Sequence, residues 1–167
     1  MIVVADASPL IFLAKIRRLD VVHRLLGHDI RVPRQVRDEI LAPNIDPAEE
    51  RELQTFLDSC RIEVVRHPRR FASAMSQADN AALTLAVRVR ADILLCDDRV
   101  TRLMAEAEGI RPLGTLGVLL RALQQGLLSA LETRNLVDLL IRSHSFRIGI
   151  EVYQAVLAEI ESHALRG

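Results

Sequence analysis

Carboxylates from four distant parts of this chain fall where chemistry could use them. Asp6 closes the apolar run at 2–5, and Asp97 and Asp98 follow a second apolar run, "ADILLC" (91–96). Asp79 stands in the first turn of "MSQADNAALTLAVRVR" (75–90), and Glu39 lies just behind the short run "DIRVP" (29–33). In open α/β sheets, ligands bind beyond the carboxyl ends of the strands, and that is the edge these positions share. Two carboxylates about 4 Å apart repel by roughly 4 kcal/mol at an effective dielectric near 20. Convergent acids without basic partners therefore favour a divalent cation. Neither His nor Cys joins the set, so oxygen ligation points to Mg²⁺ or Mn²⁺. Such an ion activates water and stabilises a phosphodiester under in-line attack.

Each acid also has a structural explanation. Asp6 suits an Asx-turn into the next helix, and Asp98 suits an ordinary N-cap. Ser76 and Asp79 have the spacing of an imperfect capping box. Glu39 sits beside Arg37 and Asp38, as on a solvated face. No single residue decides the matter; the shared edge is the argument.

The elements that would position these acids can be read from periodicity. Residues 2–5 are short, β-branched and apolar, as in a buried strand. Ser8-Pro9 looks like an N-cap with Pro at the first helical position, opening a helix to Ile16. A second helix covers 20–26 and ends at Gly27. Residues 29–33 form a strand, and Pro33 opens a helix through Ile40 and Leu41, stopped by Ala42-Pro43-Asn44. A charged helix at 47–59 leads to the strand "IEVV" (62–65). The helix at 75–90 carries Ala78, Ala81, Ala82, Leu85 and Ala86 on one face. After the strand at 91–96, Asp97-Asp98 open a helix that ends at Gly109. "IRPL" leads into "GTLG" and an apolar helix from about 115 to 125. Alternating strands and helices predict an α/β fold, a parallel sheet with helices on both faces. From Ser129 the pattern is purely helical, with a Ser129–Glu132 capping box and the amphipathic "EVYQAVLAEI". The expected division is a domain over 1–128 and a helical extension over 129–167 that packs on it.

At 167 residues, half of them hydrophobic, the chain suits one core. Its 22 basic and 22 acidic residues balance, which predicts no bulk attraction to a polyanion. Cys60 and Cys96 stand apart, without C-x-x-C or clustered His, so a structural zinc site is not expected. The N-terminus lacks a basic signal-peptide region and no run would span a bilayer, which together predict a cytoplasmic protein with no membrane partner. A P-loop, the paired acids of a receiver domain, the D-x-D of haloacid-dehalogenase phosphatases and G-x-S-x-G are all missing.

"GTLG" has the form of a phosphate cradle, with backbone N–H groups ahead of a helix. A tight turn with Thr115 as N-cap explains it more simply. Aromatic residues are only 3% of the chain, so base-stacking platforms for a nucleic acid are scarce. Arg17, Arg18, Arg69, Arg70, Arg99 and Arg102 are the candidates for phosphate contacts, each also explicable as a solvated charge.

The ordered pieces "VVADASPLIFLAKI", "VPRQVRDEI", "ADNAALTLA", "ADILLCDDRVTRLMAEAEGI" and "PLGTLGVLLRALQQGLL" resemble PIN domains over about residues 2–128. The chain resembles in particular a bacterial and archaeal subgroup of unknown function with a PIN-type nucleic-acid-binding fold. The segment "LVDLLIRSHSFRIGIEVYQAVL" resembles that subgroup's C-terminal helices. PIN domains are mostly metal-dependent ribonucleases, and many are toxins of toxin–antitoxin pairs. The resemblance implies Asp6, Glu39, Asp79 and Asp98 as catalytic acids, with Ser8 as the hydroxyl supporting Asp6. It implies metal ligation by Asp6 and Asp98, with Asp97 a neighbour able to share the role. Two departures stand out: Asp79 replaces a frequent Glu, and Cys96 replaces a hydroxyl residue.

The expected function is thus Mg²⁺- or Mn²⁺-dependent endoribonuclease activity. Arg99, Arg102 and Thr115 are candidates for substrate contact. RNA, a small antitoxin protein and a second copy of the chain are the expected partners. The alternative is a PIN-fold binding or scaffold module with weak or lost catalysis.

Overall fold

The computed structural model describes residues 1–41 and 45–165. The expected helix stop at Ala42-Pro43-Asn44 lies outside them.

Five short strands, β1 (Val3–Ala5), β2 (Ile30–Pro33), β3 (Arg61–Glu63), β4 (Ile93–Leu95) and β5 (Arg111–Leu113), form one sheet in the order β3-β2-β1-β4-β5. Every pairing is parallel. The fold is α/β, as the alternation predicts. β1 occupies the centre, and Val3, Val4 and Ala5 are wholly buried. A central parallel strand is covered on both faces, which is why its sequence carries no polar alternation.

From β1 the chain crosses through α1 (Ala7–Lys15) and α2 (Asp20–Leu26) to β2. Gly27 ends α2 with φ of +81°, a backbone region that favours glycine. From β2 it crosses through α3 (Arg34–Ile40) and α4 (Pro47–Asp58) to β3. The return to β4, on the other side of β1, runs through α5 (Gln77–Val89), which packs on β1, β2, β4 and α3. α6 (Arg99–Ala107) leads to β5, and α7 (Thr115–Gln124) follows. Connections therefore leave β1 and β4 in opposite directions. Such a divergence opens a crevice at the carboxyl ends of the two strands. Asp6 lies on one lip of it and Cys96-Asp97-Asp98 on the other.

Three elements differ from the sequence expectation, each for a physical reason. α1 begins at Ala7 with Asp6 as N-cap, so Ser8 lies inside the first turn rather than capping it. β3 ends at Glu63, because its pairing partner Pro33 is the last residue of β2 before α3 begins. Val64, expected in the strand, is exposed. "IRPL" contains an edge strand, β5, which pairs on one side only and so tolerates Pro112.

The chain divides into two compact units, Met1–Thr115 and Leu116 onward. In the second, α8 (Ala130–Ser143) packs on α9 (Ile150–Ala164) and buries Val137, Leu140, Val156 and Ile160. Ser129 Oγ caps α8 by accepting from Glu132 N–H at 3.1 Å, and Tyr153 OH donates to Asp138 at 3.0 Å. No helix among the described residues is long and apolar enough to cross a membrane.

Candidate functional site

Asp6 is 2% exposed and ends β1, with its own N–H donating to Leu95 O of β4 at 2.9 Å. It occupies the N-cap position of α1, yet its side chain caps nothing. Its Oδ1 is buried without a hydrogen-bond donor. A buried polar atom without a partner costs about 1–3 kcal/mol, so a plain turn residue does not explain this carboxylate. Burial pushes the Asp6 carboxyl well above the usual range. A contact with the Asp79 carboxyl and the Asp79 charge push it further; the Ala7 N–H opposes them, and Glu39 adds a smaller push. Two carboxylates can form a hydrogen bond only when one carries a proton.

Asp79 has a structural task as well. Its Oδ2 accepts from Ser76 N–H at 2.8 Å, while Ser76 Oγ accepts from Asp79 N–H at 3.1 Å, a complete capping box at the start of α5. The short Asp side chain serves that box and the Asp6 contact together. Glu39 sits on α3, which packs against α5. It is exposed overall, yet partial loss of hydration raises its carboxyl and the Asp79 charge raises it further. Asp6, Asp79 and Glu39 thus act on one another. Among the described residues, however, no three His, Cys, Asp or Glu side chains are close enough to hold one ion as they stand. The geometry is a buried pair with a third acid at longer range.

The other lip of the crevice is organised differently. Asp97 receives Thr115 N–H on Oδ1 at 2.7 Å and the Thr115 hydroxyl on Oδ2, also at 2.7 Å. Burial raises the Asp97 carboxyl, and the Thr115 bonds and the Arg102 charge draw it down. Asp98 caps α6, its Oδ1 accepting from Thr101 N–H at 2.9 Å and from the Thr101 hydroxyl at 3.1 Å. Cys96 is buried, and burial and the Asp6 charge push its thiol up. Ser8 makes no hydrogen bond to Asp6 among the described residues.

The structure therefore brings Asp6, Asp79 and Glu39 together and gives Asp97 and Asp98 other hydrogen-bonding duties. Thr115 is fully buried with its N–H and hydroxyl given to Asp97, so it offers substrate no free donor. Nor does it cap its own helix through that hydroxyl. Arg99 is exposed at the first position of α6, and Arg102, half-buried, donates to Cys96 O at 3.5 Å. The Asp97–Thr115 tie was not foreseen; the signal available was an acid after one strand and a Gly-Thr pair after the next. A groove of about 520 Å³ between α2 and α4, lined by Leu19, His23, Glu52 and Phe56 among others, contains none of these acids.

The PIN-domain family profile matches residues 2–162, nearly the whole chain. The chain belongs to the PIN-domain family. Its fold is similar to that of a PilT N-terminus domain protein from the hyperthermophilic archaeon Sulfolobus solfataricus, with a TM-score of 0.55 at 16% identity. That likeness covers 74% of this chain and 95% of the archaeal one. No curated protein matches the chain significantly. PIN domains are in general nucleases.

Proposed function

We propose that the protein is a Mg²⁺- or Mn²⁺-dependent endoribonuclease whose centre is the Asp6–Asp79 pair with Glu39. The observation that carries this is the buried, donorless Oδ1 of Asp6, on a side chain whose carboxyl is pushed up by that of Asp79. Two acids held together with no basic partner between them fit a divalent cation better than they fit each other. Asp6 and Asp79 would hold the ion, and Asp98, whose Oδ2 makes no hydrogen bond among the described residues, is available at the same sheet edge. When bound, such an ion makes water more acidic and offsets negative charge on the phosphate.

The chain's own residues account for the remainder. Glu39, exposed beside the pair and raised above an ordinary carboxylate by partial burial and the Asp79 charge, would take a proton on its Oε atoms from the attacking water. Burial of Asp6 at the end of a central strand fixes its position without a mobile loop. A role as the toxin of a toxin–antitoxin pair is compatible with this chemistry and requires a partner protein that restrains it.

A second reading also has an observation behind it. The capping box already occupies Asp79, and among the described residues no three acids are close enough to grip an ion, which suits a PIN-fold RNA-binding module with weak or lost catalysis. Incubation of a short single-stranded RNA with the protein in Mn²⁺ and in EDTA separates the two. The nuclease reading expects cleavage in Mn²⁺ that falls at least about 100-fold in folded Asp6→Asn protein, several kcal/mol of lost transition-state stabilisation. Equal cleavage by the variant overturns it.

A further inference from the structure

Arg102 takes part in no ion pair within 4.0 Å among the described residues, yet its guanidinium has a defined seat. Nη1 makes one long bond, 3.5 Å, to the carbonyl of Cys96, the residue that follows β4. A guanidinium has five N–H donors, so most of this one's capacity is unspent. Gly114 forms the wall of the seat. A Cβ built on Gly114 would stand 3.0 Å from Arg102 Nη1 and 2.7 Å from Asp97 Oδ1. Gly114 has no left-handed φ, so the reason for glycine here is space rather than backbone conformation.

The neighbouring acids explain why the charge is left over. Asp97 is the carboxylate whose charge acts on Arg102, but both of its oxygens are turned to Thr115. Asp98 spends Oδ1 on capping α6. Asp6 lies across the β1–β4 pairing, its N–H donating at 2.9 Å to the carbonyl of Leu95, the residue before the Cys96 whose carbonyl holds Arg102. A half-buried cation and the buried acid pair therefore flank Cys96 at the carboxyl edge of the sheet. A planar fork with spare donors, held beside a hydrolytic centre and unpaired, suits an incoming phosphate, which it can meet with two parallel bonds.

We propose that Arg102 grips the RNA phosphate next to the Asp6–Asp79 pair, seated for that purpose by Gly114 and by the Asp97–Thr115 tie. The identity of the polyanion rests on the ribonuclease reading. Arg99 lacks such a seat, being exposed at the start of the helix. In this arrangement Arg102 sets substrate affinity and register, and the acids do the chemistry.

The test is binding of a fluorescent short single-stranded RNA to the full chain in EDTA, at several salt concentrations. Wild type, Arg102→Ala, Arg102→Lys and Arg24→Ala are compared, with circular dichroism confirming the fold of each. Arg24 lies on α2 and pairs with Asp20 at 3.7 Å, so it serves as a control. Arg102→Ala should weaken binding about tenfold and flatten the slope of log affinity against log salt by about 0.7, the value of one phosphate contact on a single strand. Arg102→Lys should restore the slope but not the full affinity, since the charge returns without the fork. Arg24→Ala should match wild type. An unchanged slope in Arg102→Ala, or an equal loss in Arg24→Ala, overturns the proposal. Because binding is read without metal, wild type that binds RNA but never cleaves it in Mn²⁺ defeats only the nuclease reading, and the Arg102 slope still decides. Wild type that binds no RNA defeats the Arg102 proposal outright.

Discussion

Asp97 and Thr115, one after β4 and the other at the start of α7, are joined by two bonds of 2.7 Å that engage both carboxylate oxygens. Thr115 is fully buried. Thr115→Val keeps the shape but leaves Asp97 Oδ2 without its donor, at a cost of about 1–3 kcal/mol. Thr115→Ser keeps the donor and should lose much less. Urea unfolding of the three proteins checks this; equal stability of Val and Ser variants would refute the tie.

Gly114→Ala puts a methyl group 2.7 Å from an Asp97 oxygen that Thr115 holds in place. Arg102, at 3.0 Å, is the flexible neighbour and can swing away, but Asp97 cannot. The expected destabilisation is about 1–3 kcal/mol, the usual range for overpacking. The same unfolding experiment measures it. Gly149→Ala, where nothing lies within 4 Å of the added carbon, should stay within about 0.5 kcal/mol of wild type.

The pH dependence of the metal-free protein follows from Asp6. Burial first, and then Asp79, raises its carboxyl above the ordinary 3.8. For an acid raised in the folded state, the associated stability is complete below the unfolded value and is lost as pH rises through the folded one. Wild type in EDTA should therefore lose stability relative to Asp6→Asn between about pH 4 and about pH 7, with the variant ahead at the upper end. Thermal unfolding at both pH values reads the difference. A gap that narrows as pH rises would contradict the burial of a raised acid here.

Metal should reverse that order. At 100 times its dissociation constant, bound Mn²⁺ stabilises wild type by about 2.7 kcal/mol. Asp6→Asn should lose nearly all of this gain. Asp98→Asn should keep more than half, since Asn serves as an N-cap about as well as Asp and Asp98 lies outside the buried pair. Melting with EDTA and with millimolar Mn²⁺ tests it. Identical shifts in all three proteins would remove the ion from this crevice.

Much of the fold could be read because the strongest signals are local. The wholly apolar strands, Gly27 after α2 and the Asp98 cap each depend on residues a few positions apart. Errors arose where a distant partner decides. β3 stops at Glu63 because β2 turns into α3, which the residues of β3 do not encode. Ser8-Pro9 has the sequence of a helix start, but the β1–β4 pairing carries the chain straight from Ala5 into α1, with Asp6 at the cap position. For the site, residue type and strand ends located the edge. They did not reveal which acids share it in contact. Asp97 and Asp98 are adjacent, yet one is tied to Thr115 and the other to Thr101, choices made by how β5 and α6 pack.

The central place of β1 has a consequence for how the protein is made. Val3 pairs with Ile93, and Ile2 N–H donates to Asp92, 90 residues further along the chain. On a ribosome adding about 5–20 residues per second, β1 waits about 5–20 seconds for that neighbour. Throughout the wait, Val3-Val4-Ala5 has one open edge and Asp6 has no crevice around it. The incomplete chain is therefore sticky and chemically idle, and the acid pair closes only once α5 and β4 have emerged. Under the proposed ribonuclease activity, a sheet whose first strand is also among the last to be enclosed would spare the messenger still being read.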